Sequence, residues 1–261
     1  FCRNRGSRAA YIEGTDMKLL QWVRSILYIV QVTVAMPVLG LAFAPWAMFS
    51  KRGAYRACKT YAAWAMWSAR WLIGLRCEVR GTVPDGEVLV AAKHQSFLDI
   101  LMIFHALPRA KFIMKREVLW TPVIGQYAKR MGMIAVNRGK RGQAITKMMA
   151  DVNAGRVEPG QLVIYSQGTR VAPGLSAPYK VGTAVLYDQM GQVCVPVATN
   201  AGHFWPRRGL YRKPGLAVVE FLEPIEPGLD KRRFMARLEQ EVESHSDALL
   251  REAGWRPTEA G

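Results

Sequence analysis

Between Ser25 and Ser50 the chain carries no charged residue, and basic residues stand on both sides of that run: Lys18 and Arg24 before it, Lys51 and Arg52 after it. A helix crosses a hydrocarbon layer with about 20 apolar residues, so the run is long enough to enter one. In lipid a helix is the open structure that satisfies its own backbone groups, which restricts what the first part of the chain can become. Pro37 falls near the middle of the run and Pro45 follows. Each removes a backbone donor, which predicts a bend and leaves a segment that dips and returns open beside one that crosses. Basic flanks at both ends do not choose an orientation. The next stretch, Ala54 to Arg76, sets Tyr55, Tyr61, Trp64, Trp67 and Trp71 among Arg56, Lys59, Arg70 and Arg76. Such a composition favours a helix at headgroup level, where rings and snorkelling cations are both accommodated, with a core helix of a globular domain as the other reading.

Residues 17–76 are therefore assigned to membrane-embedded or interfacial helices. Upstream, residues 1–16 show no apolar period, whereas Met17 is followed at once by a basic and then an apolar segment. Met17 thus reads as a start, and 1–16 as an upstream or disordered extension. Ala42-Phe43-Ala44 has the small residues of a signal-peptide cleavage site, but Pro45 directly after it is a poor context for cleavage.

Beyond Arg76, short β-branched runs alternate with longer segments of helical period, the pattern of an α/β domain with a mixed, mostly parallel sheet flanked by helices. The runs predict strands at Cys77–Arg80, Val88–Ala92, Lys111–Met114, Met133–Val136, Gln161–Tyr165, Val193–Ala198 and Leu216–Leu222. Helices are expected over Phe97–His105, Pro122–Met131, Gly142–Asn153, Val181–Met190 and Lys231–Glu252, the last with Asp230 as its cap. This domain spans about 77–255, leaving 256–261 as a tail, and Pro206 to Pro214 reads as an exposed basic loop.

The formal charge of +16 creates a field that attracts anions: lipid headgroups, nucleic acid or acidic proteins. Eight Trp, twelve Met and no nucleic-acid recognition motif favour the lipid surface over nucleic acid. Cys2, Cys58, Cys77 and Cys194 lie far apart, with no spacing that could hold zinc, and read as thiols in a reducing compartment. No metal or cofactor is expected.

The block Lys93-His94-Gln95-Ser96-Phe97-Leu98-Asp99 follows the apolar strand Val88–Ala92, at the strand-to-helix turn where α/β proteins gather function. In a regular helix five residues turn about 500°, placing His94 and Asp99 about 140° apart. They meet only if the chain bends between them, and Ser96 supplies the bend: Ser-x-x-Asp is a capping-box pattern that puts Asp99 in the first helical turn. An imidazole beside a carboxylate is held in one tautomer and made a better base. The other reading is that Asp99 only caps the helix while His94 bonds to backbone.

Downstream stand Lys115-Arg116-Glu117-Val118 with Pro122 and Gly125, then Asn137-Arg138, then Tyr165-Ser166-Gln167-Gly168-Thr169-Arg170, and then Val195-Pro196-Val197-Ala198. With His94 and Asp99, this order of blocks resembles the glycerolipid acyltransferases, and among them the lysophosphatidic acid acyltransferases. Their corresponding blocks are His-x-x-x-x-Asp, Lys-x-Glu-Leu, Asp-Arg, Phe-Pro-Glu-Gly-Thr-Arg and Val-Pro-Val. The resemblance covers about residues 77 to 200. The chain departs from it at Ser166, usually Pro, and at Gln167, usually Glu, which keeps hydrogen bonding but loses the charge.

The resemblance implies acyl transfer from a thioester of coenzyme A or acyl carrier protein to the sn-2 hydroxyl of lysophosphatidic acid, giving phosphatidic acid in phospholipid biosynthesis. The enzyme would act at a membrane, with its active domain on the cytoplasmic face, the inner membrane in a bacterium. It also implies His94 and Asp99 as the catalytic pair. Arg170, Gly168, Thr169, Gln167, Arg138 and Lys115 are the candidates for substrate binding. A guanidinium grips phosphate with two parallel bonds, which a lysine cannot copy, and Gly168 permits close backbone approach. Backbone N–H groups around Gly168 are candidates for holding the oxyanion. Glycerol-3-phosphate, another lysophospholipid or a lyso-ornithine lipid stays open as the acceptor, as does a catalytically silent lipid-binding protein. His105, His203 and His245 read as structural.

Overall fold

The computed structural model describes residues 5–136 and 160–256 of the chain. Its first element, α1 (Arg5–Phe49), reaches back through the stretch expected as an extension and runs forward through both prolines without ending. From Met17 to Phe49 it is long and apolar enough to cross a membrane, and 17% of its most apolar window is buried. The chain leaves α1 at Ser50, whose backbone is extended and whose hydroxyl accepts from Arg52 N to cap α2 (Lys51–Leu72). Donors from another helix reach the C-terminal third of α1. Tyr127 Oη donates to the Gly40 carbonyl (2.6 Å), and Arg130 Nε donates to the otherwise orphaned carbonyl of Ala47 (3.0 Å).

The two helices form an antiparallel hairpin. Tyr28 Oη donates to the Ala65 carbonyl (3.0 Å), and Gln31 links Ser68 Oγ and Trp64 Nε1, each at 2.8 Å. One face of α2 is buried and made of small residues, among them Gly53, Ala54, Ala57, Ala62, Ala65 and Ala69, which lets the backbones approach closely. A Cβ on Gly53 would lie 2.8 Å from the carbonyl carbon of Trp46. The other face exposes Trp64, Trp67 and Trp71. The helix thus packs into the core on one side, as the second reading expected, and turns aromatic rings outward on the other.

Among the described residues seven strands follow: β1 (Leu75–Arg80), β2 (Leu89–Ala92), β3 (Ala110–Lys115), β4 (Ile134–Val136), β5 (Gln161–Tyr165), β6 (Cys194–Thr199) and β7 (Gly215–Phe221). They lie in the order β1-β7-β6-β2-β5-β3-β4, parallel at every pairing except β6 with β7. The helices between and after them are α3 (Phe97–Ala106), α4 (Ile124–Met131), α5 (Gly182–Met190), the single turn α6 (Ala201–Phe204) and α7 (Lys231–Glu252). The helix expected at Gly142–Asn153 lies outside the described residues.

Alternation along β2 sets the layers. Val90 and Ala92 face a core shared with Tyr28, Ala62, Leu98 and Met102, from the hairpin and α3. Leu89 and Ala91 face a second core with Leu186, Phe234, Leu238 and Val242, from α5 and α7. Both faces of the sheet are covered, which is why β2 and β6 are buried along their whole length. The hairpin is thus packed onto the sheet as one of its layers, and a single hydrophobic core runs across residue 76. Among the described residues Cys58, Cys77 and Cys194 are free thiols.

Replacing Ala65 by Leu should wedge the hairpin apart. The expected loss is about 1–3 kcal/mol of stability, read as a lowered unfolding midpoint in detergent. Replacing the exposed Trp67 by Leu should leave that midpoint unchanged.

Candidate active site

At the end of β2 the chain leaves the sheet through Lys93, His94 and Gln95, and Ser96 caps α3 in extended geometry (φ −141°, ψ 171°). Ser96 Oγ accepts from Leu98 N (3.1 Å). Asp99, in the first turn, reaches back so that Oδ2 accepts from Ser96 N (2.7 Å) and Gln95 N (2.8 Å). Its other oxygen accepts from His94 Nδ1 (2.9 Å) and Tyr165 Oη (3.1 Å). Asp99 is completely buried. The carboxylate caps the helix with one oxygen and orients the imidazole with the other, so the reading in which Asp99 only caps and His94 bonds to backbone does not hold. Because a carboxylate is an acceptor, the imidazole hydrogen sits on Nδ1, and the Nε2 lone pair is the one available to take a proton.

Tyr165 is the residue that the sequence reading missed. Strands β2 and β5 pair with Ala92 beside Tyr165, so the last residue of β5 is carried to the turn that holds His94. The phenol ring stacks on the imidazole at 3.9 Å between centroids, 19° from parallel. Burial and the neighbouring Asp99 carboxylate push the Tyr165 phenol well above its ordinary pKa, so it remains a donor. The signal was present in the sequence, since a tyrosine stands where the resembling proteins have phenylalanine.

His94 lies on the wall of a cavity of about 600 Å³. Its apolar side is built by Met36 and Leu39 of α1, Tyr61 of α2, Ile100 and Phe104 of α3, and Tyr127 of α4. Its polar side brings together Lys115, Gly168, Thr169 and Arg170, four of the expected substrate-binding residues. Gly168 takes φ +69°, a conformation that favours glycine. Its N–H donates to the Tyr165 carbonyl (2.8 Å), so this donor is not available to an oxyanion as expected. The Val171 N–H donates to the His94 carbonyl (2.8 Å) and ties the loop after Arg170 to the histidine turn.

Two further cations line the cavity, Lys180 and Arg207. Arg207 Nη1 donates to the Arg170 carbonyl (3.3 Å). The stretch read as an exposed basic loop is therefore partly a wall of the site, and within it Arg212 is buried with its guanidinium 4.8 Å from the Trp205 ring. Gln167 is the other correction. It does not line the cavity: its side chain is buried behind the wall and donates to the Ala177 carbonyl (3.3 Å) and to Glu243 (3.4 Å). Arg138 lies outside the described residues. His245 has an acid 3.8 Å away, Glu241 on the same helix, and takes no part in the cavity. Among the described residues no three His, Cys, Asp or Glu side chains stand close enough to share a metal ion.

The Acyltransferase family model matches residues 75–200, the segment that contains His94, Asp99, Lys115 and Arg170. Residues 75–200 carry the acyltransferase domain that this model describes. The chain is 25% identical over 232 residues to a 1-acyl-sn-glycerol-3-phosphate acyltransferase of Pseudomonas aeruginosa, covering 87% of this chain and 90% of that protein. It is 29% identical over 163 residues to 1-acyl-sn-glycerol-3-phosphate acyltransferase alpha of Mus musculus, 60% of this chain and 57% of that longer protein. The crystal structure of the 1-acyl-sn-glycerophosphate (LPA) acyltransferase from Thermotoga maritima has the same fold, with a TM-score of 0.73 at 18% identity over 89% of this chain and 98% of that one. The matched segment contains His94 and Asp99, while α1, Arg207 and α7 stand outside it.

All four partners of Asp99 are donors. An Asp99→Asn amide must therefore turn its own N–H groups against donors on one side. The expected cost is about 1.5–3 kcal/mol, the value of a hydrogen bond to a charged acceptor, visible as a lowered thermal midpoint at neutral pH.

Proposed function

We propose that the protein transfers a fatty acyl group from an acyl thioester to the sn-2 hydroxyl of 1-acyl-sn-glycerol-3-phosphate, giving phosphatidic acid. The observation that carries this reading is the position of His94: held by Asp99, it lines a cavity divided between many apolar side chains and four cations, Lys115, Arg170, Lys180 and Arg207. An acceptor with one long chain and one phosphate, joined by a few atoms that bear the hydroxyl, matches that division.

In this mechanism His94 Nε2 takes the hydroxyl proton as the oxygen attacks the thioester carbonyl carbon. The tetrahedral intermediate collapses with breakage of the carbon–sulfur bond, and the imidazolium returns its proton to the leaving thiolate. Asp99 stabilises the transient imidazolium without itself becoming protonated. Arg170 and Lys115, with Lys180 and Arg207 beside them, hold the phosphate, and Arg138 is a further candidate for that role. Thr169 offers a hydroxyl at the same rim. The chemistry needs no cofactor beyond the acyl donor, coenzyme A or acyl carrier protein, and the net charge of +16 favours encounter with an acidic carrier.

The site is served from a membrane. The outer faces of α1 and α2 expose Leu27, Val30, Val34, Val38, Leu41 and Trp67. An apolar face of this extent is costly in water and favourable in lipid. Met36 and Leu39 of the same helix line the cavity, so a lysolipid leaving the bilayer meets the site beside it. The cytoplasmic face, at the inner membrane in a bacterium, is assigned to the active domain on the resemblance to the lysophosphatidic acid acyltransferases.

Purified protein in detergent, given a labelled acyl donor and a panel of lysolipids, tests the reading. His94→Ala should lower kcat by about 10²–10⁴-fold, the usual contribution of a general base, with membrane binding unchanged. Arg170→Lys should raise KM for lysophosphatidic acid on the order of tenfold through loss of one of two parallel bonds to phosphate. Near-normal turnover of the His94 variant would remove the histidine as base.

A further inference from the structure

Behind the polar wall of the cavity, one carboxylate gathers three of the segments that form it. Lys93 is 2% exposed, and its ammonium is paired with Glu243 of α7. Glu243 Oε1 also accepts from Tyr179 Oη (2.9 Å) and from Gln167 Nε2 (3.4 Å). Each donor stands immediately before a residue that lines the cavity: Lys93 before His94, Gln167 before Gly168, and Tyr179 before Lys180. The Gln167 amide faces acceptors on both sides, the Glu243 carboxylate and the Ala177 carbonyl, so its nitrogen is the atom turned toward them.

The charge arithmetic of this group is specific. An ammonium as buried as that of Lys93 requires a counter-charge. Glu243 supplies one from a helix outside the segment matched by the family model. A second carboxylate at position 167 would stand within hydrogen-bond range of the Glu243 carboxylate, and like charges so placed repel. A neutral amide at 167 donates to Glu243 instead. Tyr179 is held protonated in the same way, its pKa raised by burial and by the Glu243 charge, so it too donates.

We propose that Glu243 is a positioning residue. It provides the single carboxylate that Lys93 needs, and Gln167, standing where the resembling proteins carry an acid, is the neutral donor matched to it. Together they keep the His94 turn, the Gly168–Arg170 loop and Lys180 in register. The proposal rests on the acyl-transfer reading, because its effect is on the geometry of that reaction.

The test is a charge relocation in the full chain: wild type, Glu243→Gln, Gln167→Glu and the double variant, assayed in detergent with labelled acyl donor and lysophosphatidic acid, with unfolding midpoints in parallel. Glu243→Gln should lower kcat by about tenfold or more and raise KM, because Lys93 loses its counter-charge. Gln167→Glu alone should also lower kcat. The double variant again leaves one carboxylate in the group that holds Lys93 and should recover kcat to within about threefold of wild type, a coupling that independent sites do not show. Tyr179→Phe keeps every charge and should lower kcat several-fold, which retains a test if Glu243→Gln does not fold. A double variant no better than Glu243→Gln, or wild-type kcat in Tyr179→Phe, overturns the positioning role. A wild-type protein without transfer activity defeats the functional reading instead, so the two failures are distinguishable.

Discussion

The Asp99 carboxylate is the interaction on which the rest of the site depends. Buried without exposed surface, it is tolerable only because each oxygen is fully used: two backbone N–H groups on one, an imidazole and a phenol on the other. Those bonds fix the entry angle of α3, the tautomer of His94 and the placement of Tyr165 together. Catalytic geometry and local folding are one network here, so neither can be altered alone. The sheet contributes by register, since pairing Ala92 with Tyr165 brings the ends of β2 and β5 to the same rim.

The second constraint is the fusion of the apolar hairpin with the domain. Small residues along α2 bring α1 close enough for Tyr28 to reach Ala65, and both helices share one core with β2 and α3. A wall of the cavity is consequently made by the segment that the apolar run marks for a membrane. The apolar run and the cavity wall are then one structure.

Much of this was legible because period and punctuation act locally. All seven strands lie where the β-branched runs fall, and β5 and α7 have the bounds read from the sequence. The Ser96 bend followed from the angular arithmetic of a helix. What was not legible depends on tertiary placement. The 3-10 turn Arg116–Trp120 and the four-residue α6 are too short to show a period. Tyr165 and Glu243 reach the site region by strand register and by packing of the last helix, neither of which appears in a local pattern. Gln167 was grouped with its neighbours as a binding residue, yet backbone alternation turns it to the far side of the wall. The C-terminal third of α1 receives donors from α4 that no reading of α1 alone contains.

The most direct measurement is a structure of the protein with lysophosphatidic acid and a non-transferable thioether analogue of the acyl donor. The account requires the acceptor hydroxyl within about 3.2 Å of His94 Nε2, the range for proton abstraction, with its phosphate on Arg170 and an acyl chain among Met36, Ile100 and Phe104. A hydroxyl bound away from the imidazole, with the phosphate on cations outside this cavity, would contradict it.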